Sequence, residues 1–150
     1  MKSLYAKDTA DHFVSRINQL SAGSKALWGK MDVAQMLCHC QKPFEIANGS
    51  LVPKPNAIIK LLFGKRAKKQ LINEPQFKKN LPTFTEAKIV DAKVFETEKQ
   101  KLISLVIYFQ DKGVNGLTKH AHPFFGEMST SDWDTLMVKH LDHHLKQFGV

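Results

Sequence analysis

Apolar residues recur at helical spacing in two stretches of the N-terminal third. The first, from Ser3 to Leu20, places them on one face and predicts an amphipathic helix that ends before a Ser-Ala-Gly-Ser loop. The second begins at Asp32, which heads a capping box with Gln35, and closes at Asn48-Gly49. Its apolar positions are Val33, Met36, Leu37, Cys40, Phe44 and Ala47, with His39 on the flank of that face and Pro43 one turn later.

Two further helices are predicted in the C-terminal half. The third runs from about Asp91 to Lys112. Residues 83–90, just before it, are interpreted alternatively as an extended segment. The fourth is capped by Ser129 or Thr130, and the negative charge of Asp132 interacts favourably with the positive N-terminal end of the helix dipole. The inward stripe of the third helix consists of Phe95, Leu102, Leu105, Val106 and Phe109.

Residues 50–83 contain four of the six prolines and predict a long connection with one short helix over 57–69. With 43% hydrophobic residues in 150, the chain is expected to form one domain, 1–150, with a sizeable core. The predicted fold class is all-α: a four-helix bundle with a long crossover between helices 2 and 3. Bundles build metal sites from side chains on facing helices.

Three of the seven histidines, His140, His143 and His144, fall within five positions of the last helix. His140 and His144 are i and i+4, so one face directs two imidazoles toward a common point. That face continues an apolar stripe, where an imidazole without a partner is costly. A metal site explains the pattern, and core histidines bonded to neighbouring polar groups are the alternative. Asp142 points to the opposite side, which separates this helix from the zinc-protease pattern.

The apolar stretches and the cysteines of the sequence indicate the cellular compartment of the protein. The N-terminus lacks the apolar core of a signal peptide, and the longest apolar stretch, 57–63, is too short for a bilayer. Cys38 and Cys40 are two residues apart on one helix, a poor geometry for a mutual disulfide. We therefore expect a cytoplasmic protein with reduced thiols and no membrane association.

The net charge of +8 comes mostly from one segment, residues 54–79, which carries eight basic residues against Glu74. Such a segment could bind nucleic acid or another anionic partner. No aromatic stacking platform or recognition-helix pattern accompanies it, so a solvated basic loop is the favoured interpretation.

Several motifs resemble those of the DinB-like (YfiT-like) superfamily of metal-dependent enzymes, in particular a branch of uncharacterised bacterial domains. Together they span most of the chain, and the terminal segment is the most specific. The matching segments are Trp28-Gly29-Lys30-Met31, Gln35 to His39, His122 to Gly126, Trp133, and Lys139 to Gly149.

The resemblance implies a four-helix bundle in which His39, His140 and His144 bind a divalent metal, zinc or nickel. Three imidazoles and an open position are typical of a catalytic zinc site. Characterised relatives imply transfer or addition of a low-molecular-weight thiol to a small-molecule substrate, with hydrolysis by metal-activated water as the alternative. Relatives are often dimeric, so a homodimer is an expectation that the apolar pattern does not address.

Further roles are less defined by the sequence. His122, with His120 beside it, is a candidate acid, base or substitute metal ligand, and a structural or exposed loop histidine is the alternative. His143 is the other candidate catalytic residue, and a hydrogen-bond donor to a metal ligand or a residue at the helix edge is the alternative. Lys65 and Arg66 in the basic segment are candidates for holding an acidic cofactor or substrate. The competing hypothesis for the whole chain is a non-catalytic bundle that binds nucleic acid or an anionic partner through residues 54–79.

Overall fold

Four α-helices carry the core of the part of the chain that the computed structural model describes, residues 3–54, 68–69, 72–74, 76–81 and 83–150. No strand occurs among these residues, so the predicted all-α class is confirmed for them. The helices are α1 (Lys7–Gln19), α2 (Val33–Ala47), α3 (Phe95–Lys112) and α4 (Thr130–Gln147), with short 3-10 turns at Thr85–Ala87 and Gly113–Gly116.

The helices pack in a closed arrangement around one hydrophobic core. Each of α1 and α2 contacts both α3 and α4, so that α1 and α2 lie diagonally across the bundle. The predicted apolar faces point inward, and Leu102, Val106 and Phe109 of α3 are fully buried. Phe95 and Leu105, predicted in the same stripe, pack against the core while remaining partly exposed. Burial of these faces is the main stabilising contribution to the bundle.

Capping boxes fix the starts of α2 and α4. Asp32 accepts the N–H of Gln35 at 2.8 Å while the Gln35 side chain accepts the N–H of Asp32 at 3.0 Å. Ser129 and Asp132 exchange the equivalent pair of bonds at 3.1 and 3.0 Å. Each box satisfies two N–H groups that a helix start otherwise leaves unpaired. These predicted starts are confirmed, and they set the register of the histidines that follow.

The predicted starts of α1 and α3 were wrong by about one turn. Residues 3–6 form a turn before α1, in which the N–H of Leu4 binds Asp134 of α4 at 2.8 Å. Residues 91–94 precede α3, where the carbonyl of Asp91 accepts the Gln35 side chain at 3.3 Å. The Asp91 carbonyl would have accepted a helical bond if α3 began there, whereas Asp134 satisfies a Leu4 N–H that has no acceptor in the first turn of a helix. Local periodicity does not report such tertiary bonds.

A buried polar pair joins α2 to α3, although no prediction placed a polar residue there. Gln41 donates to the carboxylate of Glu98 at 2.8 Å, and both side chains are buried. Lys101 binds the other carboxylate oxygen at 3.3 Å. The pair satisfies groups that would be expensive to bury alone and fixes the register between the two helices.

Part of the predicted crossover lies outside the described residues. This applies to Lys65, Arg66 and all but the last two positions of the predicted short helix over 57–69. Along the described ranges, no helix has both the length and the apolar character needed to cross a membrane.

Candidate metal centre

The structure brings together the three histidines expected to bind a metal. His39 comes from α2, and His140 and His144 come from successive turns of α4, which packs against α2. One ring nitrogen of each lies within 4.8 Å of those of the other two. The three ring centroids are 4.6–4.9 Å apart. The i, i+4 spacing on α4 and the packing of α2 against it therefore give a compact imidazole cluster.

Hydrogen bonds to the outer nitrogens fix the orientation of two of these rings. His39 Nδ1 lies 2.7 Å from the carbonyl oxygen of Ala87, which can only accept, so this nitrogen carries the proton. His144 Nδ1 lies 2.7 Å from Oε1 of Gln147. The Gln147 amide is oriented in turn because its Nε2 donates to the carbonyl of Trp28 at 2.6 Å. Both neutral rings thus keep the lone pair of Nε2 for another partner.

The third ring is the least satisfied by protein groups. His140 Nε2 lies 3.0 Å from His39 Nε2, a distance that fits either an N–H···N bond or two ligands of one ion. Tetrahedral zinc with Zn–N bonds of about 2.0–2.1 Å separates its nitrogens by about 3.3 Å. The Nδ1 of His140 is buried and has no hydrogen-bond partner among the described residues. Such an atom typically costs about 1–3 kcal/mol.

Burial keeps the cluster uncharged at neutral pH. It lowers the pKa of His39, lowers that of His140 well below the ordinary histidine value, and lowers that of His144 to about 3. The neighbouring histidines add to the effect on His140 and His144. Neutral imidazole is the form that binds metal ions. Since the donor set, its protonation and its spacing all suit a divalent cation, the residues present fit such an ion.

The cluster lies at the wall of a cavity of about 420 Å³. This volume is within the usual range for small-molecule sites. Pro43 also lines it, and because proline has no N–H, the carbonyl of His39 loses its usual helical donor. The aromatic side chains that line the cavity are Trp28, Phe77, Phe84, Phe124 and Phe125.

His122, a predicted acid–base candidate, lines this cavity but lies outside the three-histidine cluster. Its Nδ1 accepts the backbone N–H groups of Phe124 and Phe125 at 3.1 and 3.3 Å. The neutral ring therefore carries its proton on Nε2 and can only donate from that atom. Burial, with a smaller effect of Lys68, lowers the pKa of His122 to about 3. Its geometry supports the turn at His122–Gly126 and excludes proton abstraction by Nδ1 in this arrangement.

His143, the other acid–base candidate, lies beside the cluster with its ring 5.0 Å from that of His144. It is half-buried between Trp28 and Phe77, at ring distances of 5.8 and 6.0 Å. No hydrogen bond to its ring nitrogens occurs within the described part of the chain. Burial lowers its pKa, so this ring is a neutral group next to the cavity and able to accept a proton.

Part of the predicted basic segment falls within the described residues. Lys68 forms an ion pair with Asp132 at 2.9 Å, and the Lys79 ammonium lies 4.2 Å from the ring centre of Trp28. Lys78 lines the cavity. Lys65 and Arg66, the candidate cofactor-binding residues, fall outside the described residues, so that role stays a prediction.

Sequence reasoning missed the groups that orient the rings of His39 and His144. Gln147 follows His144 by three positions, which places it on the same face of α4, and this spacing was a usable signal. Ala87 and Trp28 act through backbone carbonyls, for which side-chain patterns give no signal. Ala87 and Trp28 lie outside α2 and α4, whereas Gln147 belongs to α4 itself, and Trp28 acts on His144 through Gln147.

We expect His122 to make folding stability depend on pH. Its pKa is about 3 in the folded chain and about 6.5 when unfolded, so the unfolded state takes up a proton first as the pH falls. The contribution of His122 to the free energy of unfolding is fully present well above pH 6.5, and at pH 5 it is smaller by about 2 kcal/mol. Urea unfolding of wild type and H122N at pH 7.5 and 5 should show a smaller loss in the variant, because Asn keeps an acceptor but does not titrate. Equal losses would contradict this assignment.

Comparison with known proteins places the chain in a family without assigning an activity. No curated protein and no solved structure shows significant similarity to it. One family model matches residues 2–149, nearly the whole chain. The chain therefore belongs to the family described as protein of unknown function DUF1569.

Proposed function

We propose that this protein is a divalent-metal-dependent enzyme that transfers or adds a low-molecular-weight thiol to a small electrophile. His39, His140 and His144 are the proposed ligands of zinc or nickel, in a bundle of the DinB/YfiT type. The observation that carries the proposal is the convergence of three neutral imidazoles, two of them oriented by hydrogen bonds, at the wall of an apolar cavity.

The number of candidate ligands supports a catalytic rather than a structural metal centre. Structural zinc sites enclose the ion with four protein ligands, whereas catalytic sites use three and leave a position open to the solvent or substrate. Three candidate ligands meet here, and they face a cavity large enough for a substrate. Among the described residues, no carboxylate or thiol joins them within ligand distance.

The chemistry follows from the position of the ligands and the residues around them. A bound divalent cation lowers the pKa of a coordinated thiol or water to near neutrality. His143 accepts the thiol proton at a ring nitrogen, because its ring is neutral and makes no hydrogen bond among the described residues. The aromatic walls exclude water from the reacting groups and hold an apolar electrophile. Attack forms a sulfur–carbon bond as the leaving group departs with its electron pair.

Water as the nucleophile is the alternative within the same site, and the cavity favours thiol transfer. Its apolar walls stabilise an apolar thiol or electrophile in preference to a water network. A nucleic-acid-binding bundle, the competing hypothesis, gains no specific support, since Lys68 is already paired with Asp132 and Lys78 faces the cavity.

The first prediction from this proposal concerns metal content. Wild-type protein incubated with zinc and freed of excess ion should retain about one equivalent by elemental analysis. The H140A/H144A variant should retain none, since one remaining imidazole binds too weakly. The matched control is H12A/H120A, which removes two exposed histidines and should bind as wild type does. Full occupancy in H140A/H144A would exclude this site.

A second prediction concerns Gln147, a positioning residue for His144. In Q147A the ring loses the acceptor that holds Nδ1–H, so zinc affinity should fall by roughly 10–100-fold. Competition with a chromogenic chelator measures the change. Q100A, which removes an exposed glutamine of α3, should leave the affinity unaltered. Unchanged affinity in Q147A would show that the hydrogen bond does not orient a ligand.

The reaction itself can be tested with chlorodinitrobenzene and a small thiol, because substitution at the ring releases chloride and gives a coloured thioether. Zinc-loaded wild type should accelerate the reaction, and chelator-treated protein should not. In H143Q the rate should fall by about 10²-fold or more while metal content stays at one equivalent. A rate in wild type no higher than in H140A/H144A would contradict thiol transfer to this electrophile.

A further inference from the structure

Charge is distributed asymmetrically around the cavity. Three lysines line it, Lys30, Lys78 and Lys88, whereas no aspartate or glutamate does so among the described residues. None of these lysines forms an ion pair within the described part of the chain. The residues outside that part contain no aspartate or glutamate either, so the rest of the sequence offers no acidic partner.

The lysines and histidines occupy different environments along the cavity. Lys30, Lys78 and Lys88 are exposed, which places their ammonium groups at the mouth. His39 and His144 are buried, which places the imidazole cluster at the floor. Trp28, Phe77, Phe84, Phe124 and Phe125 line the same cavity and give it aromatic walls. A ligand that satisfies all three environments has an apolar body with a negative group at the solvent end.

We propose that the cavity binds an apolar organic anion: the apolar body contacts the aromatic walls and the anionic group contacts Lys30, Lys78 and Lys88. The proposal identifies the class of substrate, and it rests on the proposed function for the role of the three clustered histidines. Exposed ion pairs contribute little individually, but several lysines around one anion, with no competing carboxylate, favour a negative over a neutral ligand. A cationic ligand meets only repulsion at this mouth.

Two fluorescent probes of similar apolar body test the charge preference. Anilinonaphthalene sulfonate carries one sulfonate, and phenylnaphthylamine lacks it. Titrated into metal-free wild type, the sulfonate should bind about tenfold more tightly than the neutral probe. Far-UV circular dichroism at each end point confirms that the protein remains folded. Equal affinity for the two probes would overturn the proposal.

The variant K30Q/K78Q/K88Q locates the binding of the anionic group. It should lose about tenfold in affinity for the sulfonate and keep its affinity for the neutral probe. The control K25Q/K112Q/K119Q removes the same charge from exposed lysines away from the cavity and should bind both probes as wild type does. An equal loss in both triple variants would overturn the proposal, because it would reflect net charge alone.

The outcomes separate this inference from the metal site. The probe titrations use metal-free protein and need no activity, whereas metal content is measured without any organic ligand. Retention of zinc by wild type with no preference for the sulfonate would reject the anion pocket and leave the metal site intact. A preference for the sulfonate in a protein that retains no zinc would support the anion pocket and reject the metal site.

Discussion

The burial of three uncharged imidazoles between α2 and α4 is the constraint on which the other features of the site depend. A buried ring nitrogen without a partner is costly, and three in contact would leave several such atoms. The chain satisfies two of the outer nitrogens with Ala87 and Gln147. Because Ala87 lies in the turn before α3 and Gln147 contacts the loop at Trp28, the histidines tie two connections to the helix pair.

The parts of the fold that were predictable are those encoded by local chemistry. Asp32 with Gln35, and Ser129 with Asp132, satisfy their own helix starts, so α2 and α4 were predicted with correct N-termini. The i, i+4 spacing then placed His140 and His144 on one face. The starts of α1 and α3 were not predictable in this way, since they depend on contacts of Leu4 with Asp134 and of Asp91 with Gln35.

The candidate site was predictable only in part, for a related reason. The residue types and spacing on α4 indicated a metal site or core histidines, and the family resemblance selected His39 as the third member. Neither source indicated how the rings are oriented, because two of the orienting groups are backbone carbonyls.

Among the described residues no carboxylate joins the three histidines that could hold a metal ion, and this would affect the charge of an occupied site. Three neutral imidazoles leave the full charge of a divalent cation uncompensated, and a low-dielectric wall makes an isolated charge expensive. If His39, His140 and His144 hold such an ion, an anionic group beside it, such as a thiolate, would reduce that cost more than a neutral group would. Lys30, Lys78 and Lys88 also line the cavity, and their positive charges would attract an anionic group from the solvent side. The proposed metal site and the proposed anion site would therefore both favour a negatively charged ligand, and the aromatic lining would favour its apolar body.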